Sequence, residues 1–163
     1  MQDWLLSFGH HIEHASWVMA LDDDPHLLTG MFVIHYFSVF LVLGTSAVVD
    51  LRLAGLAVPR LNAAAMAEAL FPWTWTAVAL GSVTGFFMFV PEASGFFSAP
   101  AFFIKLALIV VAVVVGLAVQ AKARIWGQMP VTPVRARLMA LVSLALWIGV
   151  VLAALEIAQQ ADI

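Results

Sequence analysis

The chain has 163 residues, of which 64% are apolar and only 10% are charged, and its net charge is −3. A soluble domain carries about a quarter charged residues, and a globule this small has too much surface to hide such an apolar excess, so lipid must cover part of it. The absence of cysteine excludes disulfides, thiolate metal sites and cysteine nucleophiles, and the absence of a basic run argues against nucleic acid as a partner.

The first 20 residues predict an amphipathic helix at a membrane interface. Trp4, Phe8 and Ile12 share the apolar face of a helical wheel, and His10 lies on the polar face. We expect this helix, over residues 2–20, to lie in the outer interface or to cap a bundle. The segment lacks the basic start and apolar core of a cleaved signal peptide, so the mature chain is expected to begin near its first residue.

Four later segments are long and apolar enough to cross a bilayer, which takes about 20 residues. They cover residues 27–49, 69–90, 101–121 and 138–158. The third contains an apolar run without the polar stripe of a buried helix in a soluble protein. The sequence therefore predicts an all-α membrane protein with one domain over residues 1–163, a four-transmembrane-helix bundle with an N-terminal amphipathic interfacial helix.

The basic residues predict an orientation in the membrane. All but one of the seven lie in the first and third connections or beside them, and basic connections stay in the cytoplasm. Both termini are therefore expected to face the periplasm or the exterior of a bacterial inner membrane. The residues behind this prediction are Arg52, Arg60, Lys122, Arg124, Arg135 and Arg137, and the exception is Lys105.

His35 is the first ionisable residue inside a span, and such residues are functional candidates because lipid penalises them. It lies nine positions into the first span, about 12 Å below its outer edge. It is either a packing histidine that hydrogen-bonds a neighbouring helix or an axial ligand of a haem b held between helices. The candidate second ligands lie in the outer segment or on the second span: His10, His11, His14, His26 and Met88.

Three further charged positions belong to the spans or their ends. Lys105, five residues into the third span, is expected to form a structural ion pair with Glu92, or to bind a haem propionate, a quinone carbonyl or a lipid phosphate. Asp50 and Arg52 close the first span, and they are interpreted as a charge pair at the headgroup level.

The N-terminal histidines also allow a metal site. His10 and His14 are four residues apart, with His11 and Glu13 beside them, and this spacing can hold zinc or copper on one helix face. A helical pair supplies only half of a tetrahedral site. Incidental surface histidines are therefore the alternative.

Small and aromatic residues predict how the helices sit. Gly81 and Gly85 form a GxxxG motif, which lets the second span pack closely against another helix. Trp73, Trp75 and Trp126 lie near the inner ends of their spans, where indole rings commonly anchor at the headgroups. Below His35 no polar track is expected, since the lower halves of the third and fourth spans are interpreted as purely apolar.

A series of short motifs extends from His35 to Lys105 and covers a little under half of the chain. They are His35 with Gly44, VDLRLAGL from Val49, FPWTW from Phe71, TGFFMF from Thr84, Glu92-Ala93 and AFFIK from Ala101. Together they resemble a family of small four-span bacterial membrane proteins, known only as a domain of unknown function and loosely similar to copper-resistance D and b-type cytochrome bundles.

The resemblance implies a set of polar family positions but no function. They are His35, Asp50, Arg52, Glu92 and Lys105. This chain departs from the family pattern on the third span, where relatives tend to have an asparagine and a histidine and this sequence has Gly116 and Gln120. A histidine that could serve relatives as a second haem ligand is thus absent here.

Three functions remain open at this stage. The first is a subunit of a larger membrane assembly that transfers electrons through a haem b or quinone near the outer face. The second is a structural or accessory scaffold without a cofactor, and the third is copper or zinc handling by the outer histidines. No catalytic constellation is visible, so the chain is not expected to be an enzyme on its own. The expected partners are the lipid bilayer and other membrane subunits or further copies of the chain.

Overall fold

The computed structural model of the protein describes residues 2–57, 61–129 and 131–160. Arg60, one of the residues behind the predicted orientation, lies outside these ranges. The described residues form seven α-helices and one 3-10 turn. In chain order these are α1 (Gln2–Glu13), α2 (Ser16–Asp22), α3 (Pro25–Ala54), α4 (Ala63–Phe89), the 3-10 turn (Val90–Glu92), α5 (Ala93–Ser98), α6 (Pro100–Gly127) and α7 (Val134–Gln160).

The ends of the long helices follow from local chemistry. Asp24 caps α3, because its carboxylate accepts hydrogen bonds from the first free backbone N–H groups, and Pro25 occupies the first helical position. Gly55 ends α3 in the left-handed conformation, with φ at 77°. Asn62 caps α4 in the same way as Asp24 caps α3. Asp24 and Pro25 together fix the start of α3.

The helices α3, α4, α6 and α7 form a four-helix bundle, and each is long and apolar enough to cross a membrane. In this bundle α3 contacts α4, α4 contacts α6, α6 contacts α7, and α7 closes the ring on α3. The all-α four-span prediction is confirmed, and the chain is a multi-pass membrane protein. The helices extend the predicted spans by several residues on most sides.

The two ends of the bundle differ in what covers them. Its terminal end consists of the start of α3, the end of α4, the start of α6 and the end of α7, where the Gln160 side chain accepts a hydrogen bond from the backbone of Ala101. Its opposite end carries the α3–α4 and α6–α7 connections. There Arg124 of α6 donates two hydrogen bonds to Glu68 of α4, an ion pair that links neighbouring helices.

The N-terminal segment is two helices, and the prediction of one helix over residues 2–20 is wrong. Helix α1 ends at Glu13, and Ala15 adopts an extended conformation before α2 begins. The break turns the chain, so that Val18 and Leu21 of α2 bury against Val90 of the 3-10 turn. Burial of these apolar side chains stabilises the turned arrangement.

Helix α1 lies across the terminal end, against the 3-10 turn and α5. Its contact is centred on Gly9, where a Cβ atom would come within 2.7 Å of the backbone nitrogen of Ser94. Trp4 and Phe8 of the predicted apolar face are 66% and 45% exposed to the surroundings of the chain, while Gly9 is buried against α5. Placement of the apolar face in the outer interface stays a prediction.

The three tryptophans at the inner ends of the spans do not behave alike. Trp73 is 60% exposed, which suits an interfacial anchor. Trp126 is buried among the helices, and the indole N–H of Trp75 donates to the side-chain oxygen of Gln120 at 2.6 Å. The anchor interpretation is therefore wrong for Trp126 and Trp75, whose rings hold α6 in the bundle.

Candidate functional site

His35 lies on the face of α3 that points into the bundle, one turn before the buried Ser38. Its Nδ1 atom is 3.1 Å from the carbonyl oxygen of Gly81 and 3.1 Å from the hydroxyl of Thr84, both on α4. A carbonyl can only accept, so Nδ1 carries the proton. The Thr84 hydroxyl donates its own proton to the Leu80 carbonyl and accepts from His35. In the neutral ring, Nε2 is then left with a lone pair.

The GxxxG motif forms the surface on which His35 rests. A Cβ atom at Gly85 would lie 3.1 Å from Cε1 of His35, and one at Gly81 would lie 2.9 Å from the hydroxyl oxygen of Ser38. Close packing of the second span is thus confirmed, as is a hydrogen bond from His35 to a neighbouring helix. The absent side chains provide the room for two polar groups of α3.

Lys105 approaches the same region from α6. It follows the buried Ala101 by four residues and precedes the buried Ala112 by seven, so it shares their inward-facing stripe. The side chain is half-buried, and it lies in the same terminal half of the bundle as His35. Among the described residues no carboxylate lies within ion-pair distance of Lys105, so the predicted ion pair with Glu92 is wrong. Glu92 instead belongs to the 3-10 turn beneath α1 and α2.

A cluster of phenylalanines surrounds the approach to Lys105. Phe89 stacks on Phe102 with ring centroids 5.3 Å apart, and Phe97 packs against Phe103 at 6.4 Å. Phe102 and Phe103 precede Lys105 by less than one helical turn. The phenylalanine cluster therefore lies at the start of α6, within one turn of Lys105 along the chain, and the faces of such rings attract both cations and flat ligands.

The proposed second haem ligands are not placed opposite His35. His10, His11, His14 and His26 are all exposed at the terminal end. His35 itself is packed directly against α4 at Gly85. A porphyrin therefore cannot be inserted between His35 and a ligand from that helix, such as Met88. The donor set supplies one axial nitrogen, and the sequence-based ligand pair does not fit a six-coordinate haem.

The N-terminal histidines have local partners. His10 Nδ1 is 3.0 Å from the carboxylate of Glu13, and His14 Nδ1 is 2.7 Å from the carbonyl of His10, to which it donates. His10 and His14, together with Trp4 and Phe8, line an open groove of about 510 Å³ on α1. Within the described ranges no group of three His, Asp or Glu residues could hold a metal ion. Copper or zinc binding stays a prediction without a complete ligand set.

Glu13 fixes α1 to the α4–α6 connection. Its carboxylate accepts a hydrogen bond of 2.6 Å from the backbone nitrogen of Ser94. Partial burial alone would raise the pKa of Glu13, but the bonds from Ser94 and His10 outweigh it and hold the pKa below its ordinary value. Sequence reasoning noted Glu13 only as a neighbour of the histidines, because its partner is 81 residues away.

Asp50 is buried, and its predicted pairing with Arg52 is wrong. The carboxyl is 3% exposed and points into the bundle, whereas Arg52 Nε donates to the carbonyl of Leu61 at 2.6 Å. The reason is helical phase: position 50 lies on the inward stripe with Ser46 and Leu53, and position 52 lies off it. One carboxyl oxygen of Asp50, Oδ2, has no hydrogen-bond partner among the described residues.

Other polar side chains gather around Asp50 in the half of the bundle that was expected to be apolar. Thr74 of α4 donates to the hydroxyl of Thr45 at 2.8 Å, and Ser143 of α7 is 2% exposed. Thr74 and Ser143, together with Asp50 and Ser46, surround a small cavity that Gly116 of α6 also lines. The prediction of purely apolar lower halves is wrong at Ser143. The four-residue spacing of Ser46 and Asp50, which places both side chains on one helix face, was the sequence feature that could have indicated this polar cluster.

No protein-family model matches the chain, and no curated protein or solved structure matches it either. The resemblance to small four-span bacterial proteins therefore stays a prediction.

Proposed function

We propose that the protein is a small subunit of a membrane electron-transfer assembly and that it binds the headgroup of a quinone or hydroquinone in the terminal half of its bundle. The observation that carries the proposal is the hydrogen bonding of the His35 ring, which fixes which nitrogen holds the proton. Its Nδ1–H is held by the Gly81 carbonyl, which leaves Nε2 as an oriented acceptor. A hydrogen bond from one ring nitrogen to a backbone carbonyl fixes the tautomer and the direction of a functional imidazole.

The two polar groups of the site complement the two oxygens of a hydroquinone. One hydroxyl would donate to Nε2 of His35, and the other oxygen would accept from the ammonium of Lys105. The phenylalanines before Lys105 offer faces for the flat ring. The isoprenoid tail would stay in lipid. Electrons would pass to a redox centre of another subunit.

A quinone fits these residues better than a haem b does. A six-coordinate haem needs two axial ligands on opposite faces, and His35 is the only histidine within the described parts of the four spanning helices other than the exposed His26 at their terminal edge. A hydroquinone needs one acceptor for a hydroxyl and one donor to its other oxygen, and His35 Nε2 and Lys105 supply them. An absorption spectrum distinguishes the two: a Soret band lost in His35→Ala would support haem and contradict the quinone proposal.

Equilibrium binding tests the proposal directly. The purified chain in lipid nanodiscs is titrated under reducing conditions with a short-chain benzohydroquinone, and binding is followed by calorimetry. His35→Gln and Lys105→Met should each weaken binding by tenfold or more, since each removes one of two polar partners. His26→Gln and Lys122→Met are the matched controls, because both side chains are exposed and far from the site, and they should bind like wild type.

Two results would contradict this function. Quinone binding that persists in both site variants would place the ligand elsewhere. No quinone binding by wild type, together with other membrane chains that co-purify in fixed ratio, would leave the role of a scaffold without a cofactor.

We also propose that the two termini face the periplasm of a bacterial inner membrane, because the described basic residues on the helix ends that flank the α3–α4 and α6–α7 connections share the opposite end. The chain has no cysteine, so single cysteines can be introduced without background. A membrane-impermeant maleimide should label Ser7→Cys in intact spheroplasts and Gln128→Cys only after lysis. The reverse pattern would invert the orientation.

A further inference from the structure

A second polar site lies in the half of the bundle away from His35, about 22 Å along α3 at 1.5 Å per residue. Asp50 and Ser46 of α3 face Thr74 of α4 and Ser143 of α7, and all four side chains are buried. Oδ2 of Asp50 has no hydrogen-bond partner among the described residues. A buried carboxyl oxygen without a partner is unfavourable, so something must satisfy it.

The cavity beside Asp50 has room for one small guest. Its volume is about 10 Å³, and a space of about one water-sized sphere holds a single water. The polar atoms around it come from three helices, which gives such a water the two to four partners that it needs. A larger ligand does not fit without separating the helices.

No positive side chain neutralises Asp50 within the described residues. The groups that face it from α4, α6 and α7 are neutral, and Arg52 is turned toward the carbonyl of Leu61. Arg124 at the opposite end is paired with Glu68 and is therefore not a partner of Asp50. An ionised carboxylate inside a membrane bundle is costly unless a cation accompanies it.

Oxygen count favours a proton over a metal cation. Metal ions held by oxygen take about six ligands or more. Here the helix carbonyls are occupied by helix hydrogen bonds, and the Thr74 hydroxyl is already bonded to Thr45. This leaves the carboxyl and the hydroxyls of Ser46 and Ser143, which suffice for a carboxylic acid and one water.

The thickness of the apolar packing on each side of Asp50 determines from which end of the bundle the site can exchange a proton with water. Toward the terminal end the interior is closed by large or close-packed side chains, namely Val42, Ala77, Ala112, Trp147 and Val150. Toward the opposite end buried side chains such as Leu53, Ala67 and Ala123 also close the interior, but α3 finishes one turn after Asp50, at Ala54. The shorter route to water therefore leads to the end that carries the basic connections.

We propose that Asp50 is a proton-binding site, a carboxylic acid that holds its proton beside a single water at neutral pH and exchanges it with the opposite end of the bundle. The site is separate from the quinone site, and the proposal does not depend on quinone binding. Its ligand is the proton, and the neighbouring hydroxyls of Ser46 and Ser143 orient the acid.

Infrared difference spectroscopy tests the assignment. The wild-type chain in nanodiscs should show a carboxylic-acid C=O band at neutral pH that shifts in D₂O and is absent from Asp50→Asn. Asparagine has nearly the shape of the neutral acid, so this variant should fold. Glu68→Gln, which alters an exposed carboxylate, should keep the band. Ser143→Ala should shift its frequency, because one neighbour of the acid is lost.

Three results would overturn the proposal. The first is an ionised Asp50 at neutral pH in sodium-free buffer. The second is an acid band that Asp50→Asn leaves unchanged. The third is loss of the band when sodium replaces choline at fixed pH, which would make the cavity a metal-cation site. If Asp50→Asn does not fold, the wild-type band and its shift in Ser143→Ala decide the question.

Discussion

The contact at Gly9 allows the docking of α1 to be tested by one methyl group. In Gly9→Ala the new Cβ would lie 2.7 Å from the backbone nitrogen of Ser94 and 2.8 Å from its Cα. Because both are backbone atoms, no side-chain rotation relieves the overlap. Ordinary contact begins at 3.4 Å, so α1 must move away from α5 by about 0.7 Å.

This displacement also affects the bond between Glu13 and Ser94. The bond is 2.6 Å long, and a shift of about 0.7 Å would bring it to the limit of about 3.2 Å for an N–H···O bond or beyond. Overpacking in close-packed contacts typically costs about 1–3 kcal/mol. Alanine is the better helix former by about 1 kcal/mol, so α1 should stay helical while its docking weakens.

Native-state hydrogen exchange by mass spectrometry measures the effect. Docking weakened by about 1–3 kcal/mol should speed exchange of the α1 amides roughly 5- to 150-fold, with α3, α4, α6 and α7 unchanged. Gly44→Ala is the matched control, because a Cβ there meets nothing within 4 Å. Equal exchange of α1 in Gly9→Ala, Gly44→Ala and wild type would refute the docking geometry.

Two further predictions concern single hydrogen bonds. Because the folded pKa of Glu13 is lowered, the stabilisation that its carboxylate gives to docked α1 is present above the unfolded pKa and is lost as pH falls through the folded pKa. Acid should therefore release α1 from the bundle, which limited proteolysis would detect. Glu13→Gln should make the docking of α1 less pH-dependent. In Gln120→Met the Trp75 indole loses its acceptor at 2.6 Å, so stability in detergent should fall by about 1 kcal/mol. Unchanged thermal unfolding would contradict the role given to that bond.

Much of the fold could be predicted from the sequence because its strongest signals are local. Each span is a long apolar segment bounded by a cap or a proline, and the signals at Asp24, Pro25 and Pro100 coincide with helix boundaries. The GxxxG prediction also held, since small residues four apart act through backbone approach whatever the partner. The break in the N-terminal segment was missed because the burial that stabilises it, of Val18 and Leu21 against Val90, joins distant parts of the chain.

The site was only partly predictable, for a reason specific to membranes. In water an apolar stripe marks the inner face of a helix, but here the outer face is apolar as well, so helical phase is hard to read. His35 and Lys105 were identified because they are ionisable within a span. Asp50 was misassigned to the interface because it lies near a helix end and beside Arg52, and only packing shows which of the two turns inward.

Photoaffinity labelling with an azidoquinone tests the central claim most directly, because it locates the ligand without relying on a variant. In nanodiscs, labelled peptides should come from residues 31–38 of α3 and 100–106 of α6, and excess unlabelled quinone should suppress the labelling. Labelling spread over the lipid-facing surfaces, or labelling that competitor does not reduce, would contradict a quinone site between His35 and Lys105.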